Sequence, residues 1–174
     1  MLKIAFDPIY KHSLKIGHRF PMEKYELLPE QLLKKNICSI DNFFLPSAID
    51  ERHLLSTHDE VYYNNLINLT LSKLDARKIG FPLSDSLIER ERVIAQGTIQ
   101  NTHFAQQHGI SMNIAGGTHH AFRDRPGAFC MLNDQAIAAN YLINNNFMLD
   151  LSSGFGITKN APKNYFALGF SFRI

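Results

Sequence analysis

Leu2, Ile4 and Phe6 alternate with Lys3 and Ala5 and stop at Asp7-Pro8, a two-residue period that predicts a short strand ended by a breaker. From Pro21 to Lys35 the period lengthens. Met22, Tyr25, Leu28 and Leu32 recur at helical spacing, with Glu23 and Glu26 early and Lys34 and Lys35 late, as the helix dipole favours. Pro29 falls inside this stretch and predicts a break or kink. Ile49 to Asn68 reads as two short helices divided at Ser56-Thr57-His58-Asp59, with Asp59 as a cap. Ser84 to His108 is the clearest helix: Ile88, Ala95, Ile99 and Thr102 share a face, Ser86 and Glu89 fit a capping box, and Gly109 fits the C-cap. Ile110, Met112, Ile114 and Ala115 form an apolar run consistent with a buried strand, which stops at Gly116-Gly117. Asn133 or Asp134 can cap a further helix through Ala136, Ile137, Ala139, Tyr141 and Leu142, and Phe147 to Leu151 is a second apolar run. Strand, long helix, strand, loop, helix, strand is the order of an α/β protein, a doubly wound and mainly parallel sheet with helices on both faces. In such sheets ligands gather outside the carboxyl ends of the strands, which is where Gly116-Gly117-Thr118-His119-His120 falls.

Composition narrows the class without naming a function. The 174 residues are 45% hydrophobic and 20% charged, enough for one globular domain. A net charge of +2, from 18 basic and 16 acidic residues with no long run of like charge, argues against direct nucleic-acid binding. Cys38 and Cys130 are too few and too far apart for a disulfide framework and suit a reducing compartment. No stretch approaches the ~20 apolar residues of a membrane span, so the expected location is cytoplasmic, with no membrane partner.

The chemistry concentrates in the loop after the second predicted strand. Two glycines let the backbone turn sharply, and two adjacent imidazoles can then face one cavity. Such a pair can divide the work, one taking a proton from an attacking water and the other donating to a leaving group, each step contributing roughly 100 to 10,000-fold. Each ring needs a partner that fixes its tautomer, usually a carboxylate, and Asp150 at the end of the next predicted strand could reach the site. Adjacent histidines on a loop are otherwise explained as surface residues satisfied by backbone carbonyls. Phe129 and Cys130 supply apolar wall beside them, and Gly127 supplies backbone freedom.

Gly116-Gly117-Thr118-His119-His120-Ala121, followed by Gly127-Ala128-Phe129-Cys130-Met131-Leu132-Asn133-Asp134, closely resembles the active-site segment of histone deacetylases and related acetyl-amide hydrolases, in wording most like the bacterial and class IV branch. Gly17 to Tyr25, Leu54 to Tyr62 and Ile79-Gly80-Phe81-Pro82 are similar to family segments too, so the resemblance runs from about residue 3 to Leu151 and covers the family's amino-terminal half. The resemblance implies an arginase/deacetylase-like fold, truncated, and a zinc-dependent hydrolase that removes an acetyl group from a lysine side chain or a small amine. It makes His119 and His120 the general base and acid, with Asp150 the carboxylate behind His119. Phe129 would line an acyl-lysine tunnel, Ala128 would offer its carbonyl to the substrate amide, and Gly127 belongs to the same substrate-binding segment. Arg19 matches an arginine near the internal cavity where acetate leaves. Asp59 lies at the pocket rim, where it could touch substrate or simply cap a helix.

The metal motif departs from the family. Where the family has Asp-Leu-Asp-x-His, this chain has Asp150-Leu151-Ser152-Ser153-Gly154, so two zinc ligands are replaced and no metal ligand is assigned here. Residues 1–151 therefore read as the amino-terminal part of a deacetylase-like domain and 152–174 as a divergent tail, best explained by a shifted reading frame. In that tail Phe166, Leu168, Phe170 and Phe172 alternate with smaller residues, which predicts an edge strand with one apolar face, suited to self-association. Three readings follow. The first is a deacetylase site with incomplete metal ligation, and the second a non-catalytic binding or assembly module using the pocket or the last strand. The third makes Cys130 a nucleophile with a histidine base, and it ranks last because buried thiols are usually inert.

Overall fold

The computed structural model describes the backbone of residues 1–155 and 164–172 and the side chains of residues 1–145. It divides into two compact units, Met1–Asn140 and Tyr141–Ile174.

The first unit is built on a small parallel sheet with helices around it. β1 (Lys3–Ala5) lies between β2 (Phe43–Phe44) and β3 (Ser111–Asn113), with Ile4 opposite Phe43 on one side and Met112 on the other. The alternating run at the amino terminus thus becomes the central strand, and Ile4 and Ala5 are fully buried. β3 is one of the two edges of this three-stranded sheet. Met112 and Ile110 are 37% and 63% exposed, which corrects the expectation of a wholly buried strand.

Helices α1 (Lys24–Lys34), α2 (Glu51–Leu55), α3 (Glu60–Ile67), α4 (Lys73–Ile79) and α5 (Asp85–His108) precede β3, and α6 (Asp134–Asn146) follows it. α1 runs unbroken through Pro29, contrary to the expected break. Tyr25 and Pro29 are its buried residues, one turn apart, so the proline ring packs inward and only the hydrogen bond of its missing N–H is lost. Asp59 caps α3, accepting from the amides of Val61 (2.9 Å) and Tyr62 (3.3 Å). α5 is capped by Ser84, whose hydroxyl accepts from the Leu87 amide at 3.3 Å. Ser86, the expected capping residue, already lies inside the helix, and its hydroxyl meets that of Ser84. Gly109 closes α5 at φ 82°, as expected. Ile88, Ala95 and Ile99 are buried along the apolar face of α5, with Thr102 half-buried at its end.

In the second unit β4 (Phe147–Phe155) pairs antiparallel with β5 (Asn164–Phe172), in register from Phe147 opposite Phe172 to Phe155 opposite Asn164. The apolar run at Phe147 does form a strand. Its partner among the described residues is β5 and not the parallel sheet, because the alternating run near the carboxyl terminus supplies a nine-residue antiparallel ladder. Among the described residues no helix is long and apolar enough to cross a membrane.

Candidate active site

The loop that leaves β3 turns at Gly117, whose φ of 91° lies in the left-handed region that favours glycine. It then presents His119 and His120, both exposed, with ring centroids 4.3 Å apart and planes inclined at 41°. His119 Nδ1 lies 2.9 Å from the Gly117 carbonyl oxygen. A carbonyl only accepts, so Nδ1 carries the proton and Nε2 is left as the basic atom of that ring.

The loop is held from the start of α6. Asp134, 1% exposed, accepts from the Gly117 amide (3.0 Å), from the Thr118 hydroxyl (2.7 Å) and from the Thr98 hydroxyl of α5. Asn133 caps α6 by accepting from the Ala136 amide, and its side-chain amide donates to the carbonyls of His119 (3.3 Å) and Ala121 (3.2 Å). Cys130 Sγ accepts from the Ala121 amide at 3.2 Å and lies 3.3 Å from the Leu132 carbonyl. Burial pushes that thiol up to about 11, which leaves almost no thiolate at neutral pH and removes it as a nucleophile.

The histidines open onto a cavity of about 300 Å³, whose walls come from Phe20, Lys24, Tyr25, Phe81, Arg90, residues 115–120 and residues 128–130. Phe129 adopts φ 53°, a conformation that costs a bulky residue about 1 to 3 kcal/mol. Its amide donates to the Ile79 carbonyl at 3.0 Å, and its ring sits 5.0 Å from those of Phe20 and Phe81. These contacts hold the strained backbone in place. His18 braces the same wall: its Nδ1 accepts from the Phe20 amide (3.1 Å) and its Nε2 donates to the Gly80 carbonyl (2.9 Å).

Deeper in, Arg90 is 2% exposed, donates to the Tyr10 carbonyl (2.7 Å), stands 4.9 Å from the centre of the Tyr25 ring and pairs with the equally buried Glu91. Desolvation raises the Glu91 carboxyl to about 7 against the opposing pull of Arg90.

His119, His120, Phe129 and Ala128 therefore converge on one cavity, and Gly127 lies directly against the His120 backbone. Arg19 lies beside the cavity wall and not in its lining. Its guanidinium stands 4.8 Å over the Phe129 ring, and the arginine that lines the cavity is Arg90. Asp59 is also outside the cavity lining. Its carboxylate is committed to α3, and its amide donates to the Arg123 carbonyl at 2.8 Å. Asp150 lies on β4 opposite Gly169, and its side chain is outside the described residues. Sequence reasoning missed His58, Arg90 and the grip of Asn133 and Asp134. The last two were visible only as cap candidates.

Among the described residues no three His, Cys, Asp or Glu side chains are grouped so as to hold a metal ion. Ser152 and Gly154 offer neither carboxylate nor imidazole at the two motif positions. Among the described residues no donor set fits a catalytic zinc, which needs three donors and an open position.

A parallel sheet ringed by helices, with paired histidines just past the end of a strand, defines an α/β protein of the arginase/deacetylase type. A family model described as the histone deacetylase domain matches residues 18–151, and the chain belongs to that family. It is 36% identical over 135 residues to an uncharacterized protein of Picosynechococcus, covering 78% of this chain and 45% of that protein. It is 25% identical over 148 residues to the acetoin utilization protein AcuC of Bacillus subtilis, covering 79% of this chain and 38% of the relative. Among solved structures, an HDAC homolog from Aquifex aeolicus shares the fold, with a TM-score of 0.67 at 22% identity over 83% of this chain and 41% of that one. An HDAC homolog complexed with SAHA matches with the same values. The chain spans less than half the length of these relatives.

Proposed function

We propose that this chain carries the proton-transfer part of a deacetylase-type amide hydrolase site, taking an acetylated lysine side chain or a small acetyl-amine. The observation that carries the reading is the His119–His120 pair, its rings 4.3 Å apart at the cavity wall, with His119 Nε2 left basic. In this reading His119 takes the proton of the attacking water and His120 donates to the leaving amine. Phe129 and Ala128 border the acyl group, Gly127 supports His120 from behind, and Asp150 is the carboxylate assigned to His119. The likeness to an HDAC homolog complexed with SAHA supports an acyl-lysine-like occupant. Arg19 acts on the site through the Phe129 ring, and Asp59 through the backbone of Arg123.

The family's zinc is left without a fitting donor set, so this chain alone binds zinc weakly and turns over little acetyl-lysine. Residues 1–151 form the deacetylase-like part and 152–174 the departing tail, in a cytoplasmic protein without nucleic-acid or membrane partners. Metal analysis of the purified chain, with acetyl-lysine peptide turnover by wild type and His119→Ala, tests this. Substoichiometric zinc and negligible turnover are expected. Tight stoichiometric zinc with turnover lost in His119→Ala would overturn the incomplete metal site, and histidine variants that leave any residual turnover unchanged would overturn the assigned roles.

A second reading, an assembly module, draws on the β4–β5 ladder. Its register sets Phe147 opposite Phe172, Leu149 opposite Phe170 and Leu151 opposite Leu168. Deleting residues 165–174 would then abolish self-association in sedimentation experiments.

A further inference from the structure

His58 sits in the turn before α3 and takes no part in the chemistry proposed above, yet it is only 1% exposed and uses both ring nitrogens. Nε2 lies 3.1 Å from the amide nitrogen of Asn133, and Nδ1 lies 3.0 Å from the carbonyl oxygen of Phe122. An amide N–H can only donate and a carbonyl can only accept. The ring is therefore neutral, with its proton on Nδ1.

The two groups it holds bracket the catalytic pair. Asn133 donates from its side chain to the carbonyls of His119 and Ala121, while Phe122 ends the stretch that begins at His119. His58 thus locks the head of α6 to the loop bearing both imidazoles.

We propose that His58 is a positioning residue for His119 and His120, acting through Asn133 and Phe122, and that protonating it releases the loop. This rests on reading His119 and His120 as the proton-transfer pair. A proton on Nε2 would set one N–H against another, and the bond to Asn133 could only break. The groups around the ring favour the neutral form. The Tyr62 ring of α3 lies beside it, tilted at 51° with centroids 5.7 Å apart, its hydroxyl donating to the Met131 carbonyl. The Asp59 carboxylate is committed to the amides of α3, and Asp134 of α6 is committed to Gly117, Thr118 and Thr98. Arg123 faces it through its carbonyl. Burial accordingly lowers the ring's affinity for a proton below the ordinary histidine value.

The test is a pH titration of the full chain with isotope-labelled histidine, following the ring resonances of His119 and His120 and the exchange of the Ala121, Phe122 and Asn133 amides. In the wild type, acidification through the titration of His58 should add a step to both catalytic rings, separate from their own titrations. The three amides should exchange at least about tenfold faster across that step. In His58→Asn, which keeps a donor toward Phe122 and loses the acceptor for Asn133, the step should vanish and exchange should already be fast at neutral pH. Asn133→Ser keeps an oxygen to cap α6 and lacks the amide donor. It should leave His58 titrating while His119 no longer follows. A step that persists in His58→Asn, or rings in both variants that behave as in the wild type, overturns the proposal. None of these readouts uses turnover or metal binding, so tight stoichiometric zinc, or histidine variants that leave residual turnover unchanged, would count against the proposed function and leave this inference standing.

Discussion

A Cβ on Gly127 would stand 2.0 Å from the carbonyl oxygen of His120 and 2.5 Å from its carbonyl carbon. Both atoms belong to the main chain, so neither can swing aside as a side chain would. The Gly127 amide also donates to the Cys130 carbonyl at 3.0 Å, which fixes it in a tight turn against the histidine loop. Gly127→Ala is therefore expected to push His120 from the cavity wall and to lower stability by at least about 2 kcal/mol, at the upper end for overpacking. Denaturant unfolding measures the loss. A variant within about 0.5 kcal/mol of wild type would show that the loop can give way freely.

Asp134 holds the other end of that loop. Asp134→Asn keeps the shape but offers an NH2 group to a set of donors: Thr118 and Thr98 can turn to the carbonyls of Leu132 (2.9 Å) and Ile94 (3.3 Å), while the Gly117 amide loses a charged acceptor. The expected loss is about 1.5 to 3 kcal/mol, the contribution of a hydrogen bond to a charged group. Exchange of the Gly117 amide should quicken by more than the global loss explains. Equal effects on Gly117 and on the amides of α5 would show that the loop is held elsewhere.

Much of the first unit was legible in the pattern of the chain. β1, α5 and the caps at Asp59 and Gly109 follow from short-range rules, and they formed where those rules put them. The paired histidines were legible because glycines and imidazoles adjacent in sequence stay adjacent in space. What escaped was long-range. His58 reaches Asn133 across 75 positions, and Arg90 reaches the Tyr10 carbonyl across 80. No periodicity encodes such pairings. Pro29 escaped for another reason: a breaker rule prices one lost hydrogen bond and is blind to the burial that offsets it. β4 was legible as a strand, but its partner was not, since an apolar run fits a parallel or an antiparallel neighbour equally well.

The two thiols should separate cleanly under a labelling reagent. Cys130 is buried, its sulfur is held between the Ala121 amide and the Leu132 carbonyl, and at about 11 its thiolate fraction at pH 7 is about one in ten thousand. Cys38 is half-buried on the other side of the sequence, before β2. One thiol per folded chain should react promptly and the second only after denaturant is added. Prompt modification of Cys130 in the folded chain would restore it as a candidate nucleophile.

Glu91 sets a pH dependence whose sign is opposite to that of most carboxylates. Its folded value of about 7 lies above the ordinary 4.5, because complete burial outweighs the attraction of Arg90. Below pH 4.5 the carboxyl is protonated in both folded and unfolded chains, and its contribution is fully present. Between 4.5 and 7 the folded chain keeps a proton that the unfolded chain has released, so stability falls as pH rises, by about 3 kcal/mol across the whole window. His58 works the other way, since a ring that resists protonation when folded costs stability as pH drops below about 6.5. The two partly cancel in the wild type, so the informative quantity is the difference between wild type and Glu91→Gln, where His58 contributes equally to both. Glu91→Gln mimics the protonated carboxyl, so it should match the wild type below about pH 4.5 and become the more stable protein as pH rises toward 7. The gap should widen as pH rises from about 4.5 toward 7, because only the wild type loses the stability tied to its retained proton. Denaturant unfolding at half-unit pH steps measures it, and a gap that stays constant would mean that Arg90 keeps Glu91 ionised throughout.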